Sequence, residues 1–273
     1  MHKSKFLVAA ILAGIVGFGA ATGSAAGTAV KVIPYPAGLE TAKEGASAAP
    51  QEINHSHTPY YSDEDVYNMT STEGRVVLTH YPTYQQTARN TGGPATALTV
   101  LYWYGNQKFD EMTLAKEMGT QPYPIGTSVN SIAKFFRNIG WQVSCSLDTE
   151  SPQNADKFKD FVLGYLRQNV PIMVENIAWG GHWRVIIGYD TMNTATTLDD
   201  VLILAESYDI GDHRQDGYNI ESAAQFYQTW FDHNMLPENE RDKPWVVARP
   251  NDKKDGYLFV RDLPQLRAGQ KAQ

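Results

Sequence analysis

Three short segments of this chain carry side chains of the types that acyl-transfer chemistry uses. Residues 84–95 form a polar loop that contains Gln86 and leads into a helix start. His182 opens an apolar strand directly after a glycine pair, and an acidic residue, Glu206 or Asp209, closes the next strand. A histidine can act as a general base, and a helix N-terminus lowers the pKa of a thiol that stands on it. The pattern therefore predicts a site for nucleophilic catalysis, with the nucleophile at the helix start.

Helices come early in the chain and strands come late. The hydrophobic periodicity and the capping residues predict helices over residues 94–104, 128–139, 154–168 and 222–231. The short apolar runs predict strands over residues 76–78, 141–147, 170–174, 182–189, 201–206 and 245–248. This order favours an α+β domain over a doubly wound α/β sheet.

The three segments resemble those of the C39-like cysteine peptidases, a papain-like family. In that family a Gln lies six residues before a Cys-Gly-Pro-Ala helix start, and here Gln86 lies six residues before Gly92. His182, in Gly-His-Trp-Arg-Val, matches the family's base. Glu206 stands where an Asp-Pro is usual, which makes it the orienting acid, with Asp209 as second choice. The likeness extends over residues 79–260.

The resemblance implies a fold and a set of roles. The helix that bears the nucleophile position should pack on an antiparallel sheet, as in papain-like peptidases. Gln86 should serve the oxyanion hole, and His182 should take the proton of the nucleophile. We expect Gln86, Gly92, His182 and Glu206 to line one cleft.

The chain departs from the family at the centre of the site. Gly92 occupies the nucleophile position in Thr91-Gly92-Gly93-Pro94, and glycine has no side chain that could attack a carbonyl. Thr91 is an alternative nucleophile, but its use would displace the attacking atom by about 3.5 Å. Cys145 is the only thiol, and its alternation with apolar neighbours predicts that it is a buried packing residue. The sequence therefore predicts no normal cysteine-peptidase activity.

Three readings of the function follow. The first is a pseudopeptidase whose cleft binds peptide or unfolded polypeptide, because an open helix N-terminus can accept a peptide carbonyl or carboxylate. The second is an active hydrolase or acyl-transfer enzyme that uses Thr91 or a water, with His182 as general base. The third is a structural domain whose cleft has no ligand. We favour the first reading.

Composition excludes several classes of protein. The 273 residues are 42% hydrophobic and 19% charged, which suits one large domain with tails. The net charge of -7 gives no support to nucleic acid as a partner. A single cysteine excludes an intramolecular disulfide and any metal site built from several cysteines, and the sequence implies neither a metal nor a cofactor.

The N-terminus has the features of a secretory signal. Lys3 and Lys5 precede an apolar run over residues 6–18, and the small residues Ser24, Ala25 and Ala26 follow it. We expect cleavage near Ala26, no membrane span afterwards, and a secreted or cell-envelope location. The predicted organisation is a signal peptide over 1–26, a flexible arm or tether over 27–75, a peptidase-like domain over 76–262 and a tail over 263–273.

Overall fold

Five α-helices and seven β-strands form within the residues that the computed structural model describes, which are 30–39, 64–178, 180–209 and 215–251. The helices are α1 Gly92–Trp103, α2 Glu111–Glu117, α3 Val129–Asn138, α4 Ala155–Leu166 and α5 Ala223–Thr229. The strands are β1 Arg75–Val77, β2 Gln142–Cys145, β3 Ile172–Ile177, β4 Gly181–Asp190, β5 Val201–Glu206, β6 Tyr218–Ser222 and β7 Trp245–Arg249.

The strands make one antiparallel sheet in the order β2-β7-β3-β4-β5-β6. The long strand β4 lies at its centre, and β1 pairs with the C-terminal half of β4. Along the other half, Asn176 of β3 lies opposite His182, and Glu206 of β5 lies opposite Arg184. Because side chains alternate between the two faces of a strand, His182 and Arg184 share a face.

Helix α1 packs on β4 and is buried along almost its whole length, from Gly93 to Leu101. A helix that is apolar on all sides belongs in the core, because it leaves no polar face for water. The other four helices begin at side-chain caps, in which Asp110, Ser128, Asn154 and Ser222 accept from a backbone amide three residues later. The predicted α+β class, with the residue-92 helix packed on an antiparallel sheet, is confirmed.

Most predicted elements are present with small shifts of their ends. The predicted helix over 94–104 begins two residues earlier, at Gly92, and the predicted strand over 170–174 starts at Ile172 and ends at Ile177. The sequence analysis missed helix α2 and strand β6. Cys145 is buried as predicted, with no exposed surface, and this burial raises the pKa of its thiol.

The flexible arm predicted over residues 27–75 needs correction where the structure describes it. The amide of Ile33 donates to the Thr83 carbonyl at 2.9 Å, and the amide of Thr83 donates to the Lys31 carbonyl at 3.0 Å. The side chains of Ile33 and Val66 are buried in the core. Residues 30–39 and 64–75 therefore pack on the domain, because two large apolar side chains anchor them.

The other predicted segments lie outside the described residues. These are the signal peptide over 1–26, the C-terminal tail over 263–273 and the remainder of the predicted arm. Within the described part of the chain, no helix is both long enough and apolar enough to cross a membrane.

Candidate functional site

The candidate site lies where the start of α1 meets the start of β4. Gly92 is partly exposed at the first turn of α1. A Cβ atom on Gly92 would lie 3.9 Å from Nδ1 of His182 and 3.3 Å from Oε1 of Gln86. The fold thus brings together three residues that are far apart in sequence, and the position that faces the histidine has no side chain.

His182 pairs with Glu206 through its other ring nitrogen. Nε2 of His182 contacts Oε1 of Glu206, and both side chains are about 95% buried, with exposures of 4% and 5%. The carboxylate of Asp209 instead accepts from the amide of Gly217 at 2.7 Å. The structure therefore places Glu206, the first choice for the orienting acid, against His182, whereas the contact it gives for Asp209, the second choice, is with Gly217.

Arg184 extends this pair into a buried network. Its guanidinium lies 3.4 Å from Glu206, makes a two-point contact with Glu221 at 2.8 and 3.0 Å, and donates to Asn176 at 2.7 Å. Burial raises the pKa of Glu206, but His182 and then Arg184 outweigh burial and lower that pKa to about 2. Glu206 is therefore ionised, and its charge holds the Nε2 side of His182, so that Nδ1 faces Gly92.

The sequence analysis missed Arg184 as a site residue. The sequence feature that could have identified Arg184 is its charge within the apolar run of β4. It lies two positions after His182 and therefore on the same face of the strand. A charge that is only 2% exposed needs a partner, and β4 itself offers none. The partners Glu221 and Asn176 come from β6 and β3, so the sequence pattern alone could not identify them.

Gln86 is held by the end of β5 and by its own loop. The hydroxyl of Ser207 donates to Oε1 of Gln86 at 3.0 Å, and Nε2 of Gln86 donates to the carbonyl of Ala88 at 2.8 Å. The backbone amide of Gln86 also donates to the Ser207 carbonyl at 2.8 Å. Because its carbonyl faces Gly92, the donor role that the resemblance implies would require the amide group to rotate.

The side chain of Thr91, the alternative nucleophile, is buried and hydrogen-bonded. Its side chain is 1% exposed, and its hydroxyl donates to Oε1 of Glu111. Glu111 belongs to α2 and has no exposed surface. The structure therefore gives no support to Thr91 as a nucleophile, because its hydroxyl is hydrogen-bonded to Glu111 inside the core.

Glu111 is a hub that fixes the loop before α1. Besides Thr91, it accepts from the hydroxyl of Tyr84 at 2.8 Å, from the amide of Thr87 at 2.8 Å and from the hydroxyl of Thr87 at 2.6 Å. Burial, followed by the charge of Glu111, raises the pKa of Tyr84 well above its usual value. The loop that carries Gln86 is thus tied to α2, the helix that the sequence analysis missed.

Replacing Glu111 by glutamine should destabilise the protein by about 2 kcal/mol, because an amide NH2 cannot accept from the donors that one carboxylate oxygen now binds. The measurement is urea unfolding followed by circular dichroism. Glu117→Gln is the matched control, since Glu117 is an exposed residue of the same helix. Equal unfolding midpoints for the two variants would contradict the role given to Glu111.

Among the described residues, the position that faces Nδ1 of His182 at the start of α1 is a glycine. No group of three or more His, Cys, Asp or Glu side chains within the described residues is placed to hold a metal ion. His182, held by Glu206, could accept a proton from a group at position 92, but glycine offers no such proton. The site also contains the N-terminal amides of α1 beside the partly exposed Gly92.

Two solved structures and one family model are similar to this chain. The peptidase domain of Streptococcus ComA, a bi-functional ABC transporter involved in a quorum-sensing pathway, is 17% identical with a TM-score of 0.42, and the match covers 63% of this chain and 99% of that one. The peptidase domain of Streptococcus mutans ComA is 13% identical with a TM-score of 0.29, and the match covers 62% and 98%. A search of curated proteins found no match.

The model of the Peptidase_C39 like family matches residues 78–233. Since that match spans more than half of the chain and includes Gln86, Gly92, His182 and Glu206, this protein belongs to the C39-like peptidase family.

Proposed function

We propose that this protein is a catalytically inactive C39-like domain, exported from the cytoplasm, that binds peptide or unfolded polypeptide in its cleft without cleaving it. The observation that carries the proposal is the position of Gly92. A side chain at this position would stand 3.9 Å from Nδ1 of His182, and glycine provides none. Export is supported by the lysines and the apolar run at the N-terminus.

Inactivity is supported by the burial of the two other candidate nucleophiles, Cys145 and Thr91. Cys145 lies in β2 with no exposed surface, near Arg137 and Asp148. The hydroxyl of Thr91 is hydrogen-bonded to the carboxylate of Glu111. Removing the nucleophile of an intact triad leaves only the rate enhancement of binding and oxyanion contacts, which is orders of magnitude lower.

Binding is supported by the start of α1. The side chain of Thr91 does not cap this helix, and its first turn contains no acidic residue. The first amides of a helix have no partner within it and carry the positive end of the helix dipole, so they suit a peptide carbonyl or a carboxylate. The absent side chain at Gly92 leaves room for such a group to approach them.

The test is mass spectrometry of a mixed peptide pool incubated with the mature chain, combined with recovery of the peptides that stay on the immobilised protein. We expect the natural chain to retain peptides and release no fragments, while Gly92→Cys releases fragments. Gly92→Leu, which fills the opening, should retain less peptide than Gly92→Ala. Cleavage by the natural chain that disappears in His182→Ala would overturn the proposal in favour of an active hydrolase.

A further inference from the structure

Two buried carboxyl groups meet beneath Gly181, the residue before His182. Glu175 belongs to β3, and Asp232 follows α5. A Cβ atom on Gly181 would lie within 3 Å of an oxygen of each carboxyl group. These two oxygens are therefore at most about 5 Å apart. Glu175 is 3% exposed and Asp232 has no exposed surface.

Among the described residues, no basic side chain forms an ion pair with either carboxyl group. Oδ1 of Asp232 accepts from the amides of Asn234 and Met235 at 2.9 and 3.0 Å. Oδ2 of Asp232 and Oε2 of Glu175 have no hydrogen-bond partner among the described residues. Two ionised carboxylates would repel each other at this separation, and burial increases the cost because the protein interior screens charges less than bulk solvent does.

The surrounding charges do not relieve this repulsion. The second charged group that acts on Glu175, after Asp232, is Glu240, which is also acidic and accepts from the amide of Asn130 at 3.3 Å. The bases of the neighbouring segment are directed elsewhere. Nε of Arg241 donates to the Leu236 carbonyl, and Nζ of Lys243 lies over the ring of Tyr227.

We propose that Glu175 and Asp232 share one proton, and that loss of this proton as the pH rises loosens the start of β4, which carries His182. In the shared state, the O–H of one carboxyl group donates to the carboxylate of the other, so the pair carries a single negative charge. Deprotonation releases that proton to solvent and leaves two charges beneath Gly181. The inference does not depend on whether the cleft binds peptide.

The direction of the pH effect follows from the burial of the pair. Burial and then Asp232 raise the pKa of Glu175 well above its usual value of 4.5. A carboxyl group whose pKa is raised in the folded state stabilises that state below its unfolded pKa, and this contribution is lost as the pH rises through the folded pKa. The pair should therefore make the protein less stable at alkaline pH.

The first test reads the proton directly by infrared spectroscopy of the full chain. We expect the carbonyl stretching band of a protonated carboxyl group in the natural protein at about pH 7, and its loss in Glu175→Gln. Asp232→Asn, which also leaves one carboxyl group, is the second variant. Absence of the band from the natural protein at neutral pH would overturn the proposal.

The second test follows thermal unfolding from about pH 5 to about pH 8. Relative to the natural chain, Glu175→Gln should raise the melting temperature by at least about 3 °C more at the upper pH than at the lower. Glu238→Gln, which removes an exposed carboxylate from the same region, is the matched control and should show no such difference. Stabilisation by added Ca²⁺ that Glu175→Gln abolishes would overturn the proposal, because a metal ion would then occupy the pair.

The third test addresses β4 itself through amide hydrogen exchange. At the same alkaline pH, the amides of residues 181–183 should exchange faster in the natural chain than in Glu175→Gln, and near pH 5 the two rates should agree, to within about twofold. A comparison at equal pH cancels the intrinsic pH dependence of exchange. Equal exchange at both pH values would show that the pair does not act on β4 and would overturn the second half of the proposal.

Discussion

Gly92→Cys should carry a thiol that is alkylated at mildly acidic pH at least about tenfold faster than Cys145 in the same protein. The new Cβ would stand 3.9 Å from Nδ1 of His182, at the N-terminus of α1. A thiol beside an imidazolium and a helix N-terminus has a pKa well below the ordinary value of about 8.5. Among the described residues, the closest contact of this Cβ is Oε1 of Gln86 at 3.3 Å, so the glutamine must move by a few tenths of an ångström.

The measurement is the rate of iodoacetamide labelling across pH, with the site of labelling read by mass spectrometry. The natural chain reports the labelling of buried Cys145 alone. Adding His182→Ala to Gly92→Cys should raise the labelling midpoint towards the ordinary thiol value of about 8.5, because the imidazole partner of the thiolate is gone and only the helix N-terminus still lowers the pKa. An ordinary midpoint in Gly92→Cys itself would mean that His182 does not face residue 92 in solution.

The site residues could be predicted because the chain keeps the order and spacing of the family's motifs. Gln86, Gly92 and His182 stand in family order, and the structure brings them within a few ångströms of one another. From sequence, Glu206 ranks above Asp209 only because it stands at the position of the family's acid. In the fold, Glu206 is the last residue of β5 and contacts His182, while the carboxylate of Asp209 accepts from the amide of Gly217.

Helix α2 and strand β6 were not predicted, because their apolar patterns are weak. In α2 only Leu114 and Glu111 are buried, and a buried carboxylate looks like a surface residue in sequence. Strand β6 buries only Tyr218 fully and keeps its other side chains partly exposed. The flexible arm was predicted wrongly around Ile33 for a related reason. The composition of this segment suggests disorder, but the side chain of Ile33 is buried in the core and anchors the segment.

Arg184→Met should destabilise the protein by about 3–5 kcal/mol, because removing one member of a buried charge network leaves the others uncompensated. The guanidinium is 2% exposed and contacts both Glu206 and Glu221. Methionine approximates the length of the arginine stem, so the change removes charge and hydrogen bonds more than volume. Urea unfolding of the natural and variant chains gives the difference.

Arg137→Met is the matched control for this experiment. Arg137 also forms an ion pair, with Asp148, but its side chain is 43% exposed, and exposed pairs contribute about 0–1 kcal/mol. Adding Glu206→Gln to Arg184→Met should recover part of the loss, since one of the unpaired carboxylates is then neutral. A loss for Arg184→Met no larger than for the control would show that Glu206 and Glu221 tolerate burial without it.

The same network fixes how the site responds to acid. Glu206 has a pKa of about 2 in the folded protein, below its usual 4.5. Its contribution to stability, of the order of 3 kcal/mol, is present above the unfolded pKa and is lost as the pH falls from about 4.5 towards about 2. Glu206→Gln should flatten the unfolding free energy over this acid range, whereas the Glu175 and Asp232 pair acts in the opposite direction above it. The two windows meet near the unfolded glutamate pKa of about 4.5, so the combined contribution of the two groups is expected to be greatest there, where Glu206 is ionised and Glu175 holds its proton in the folded protein.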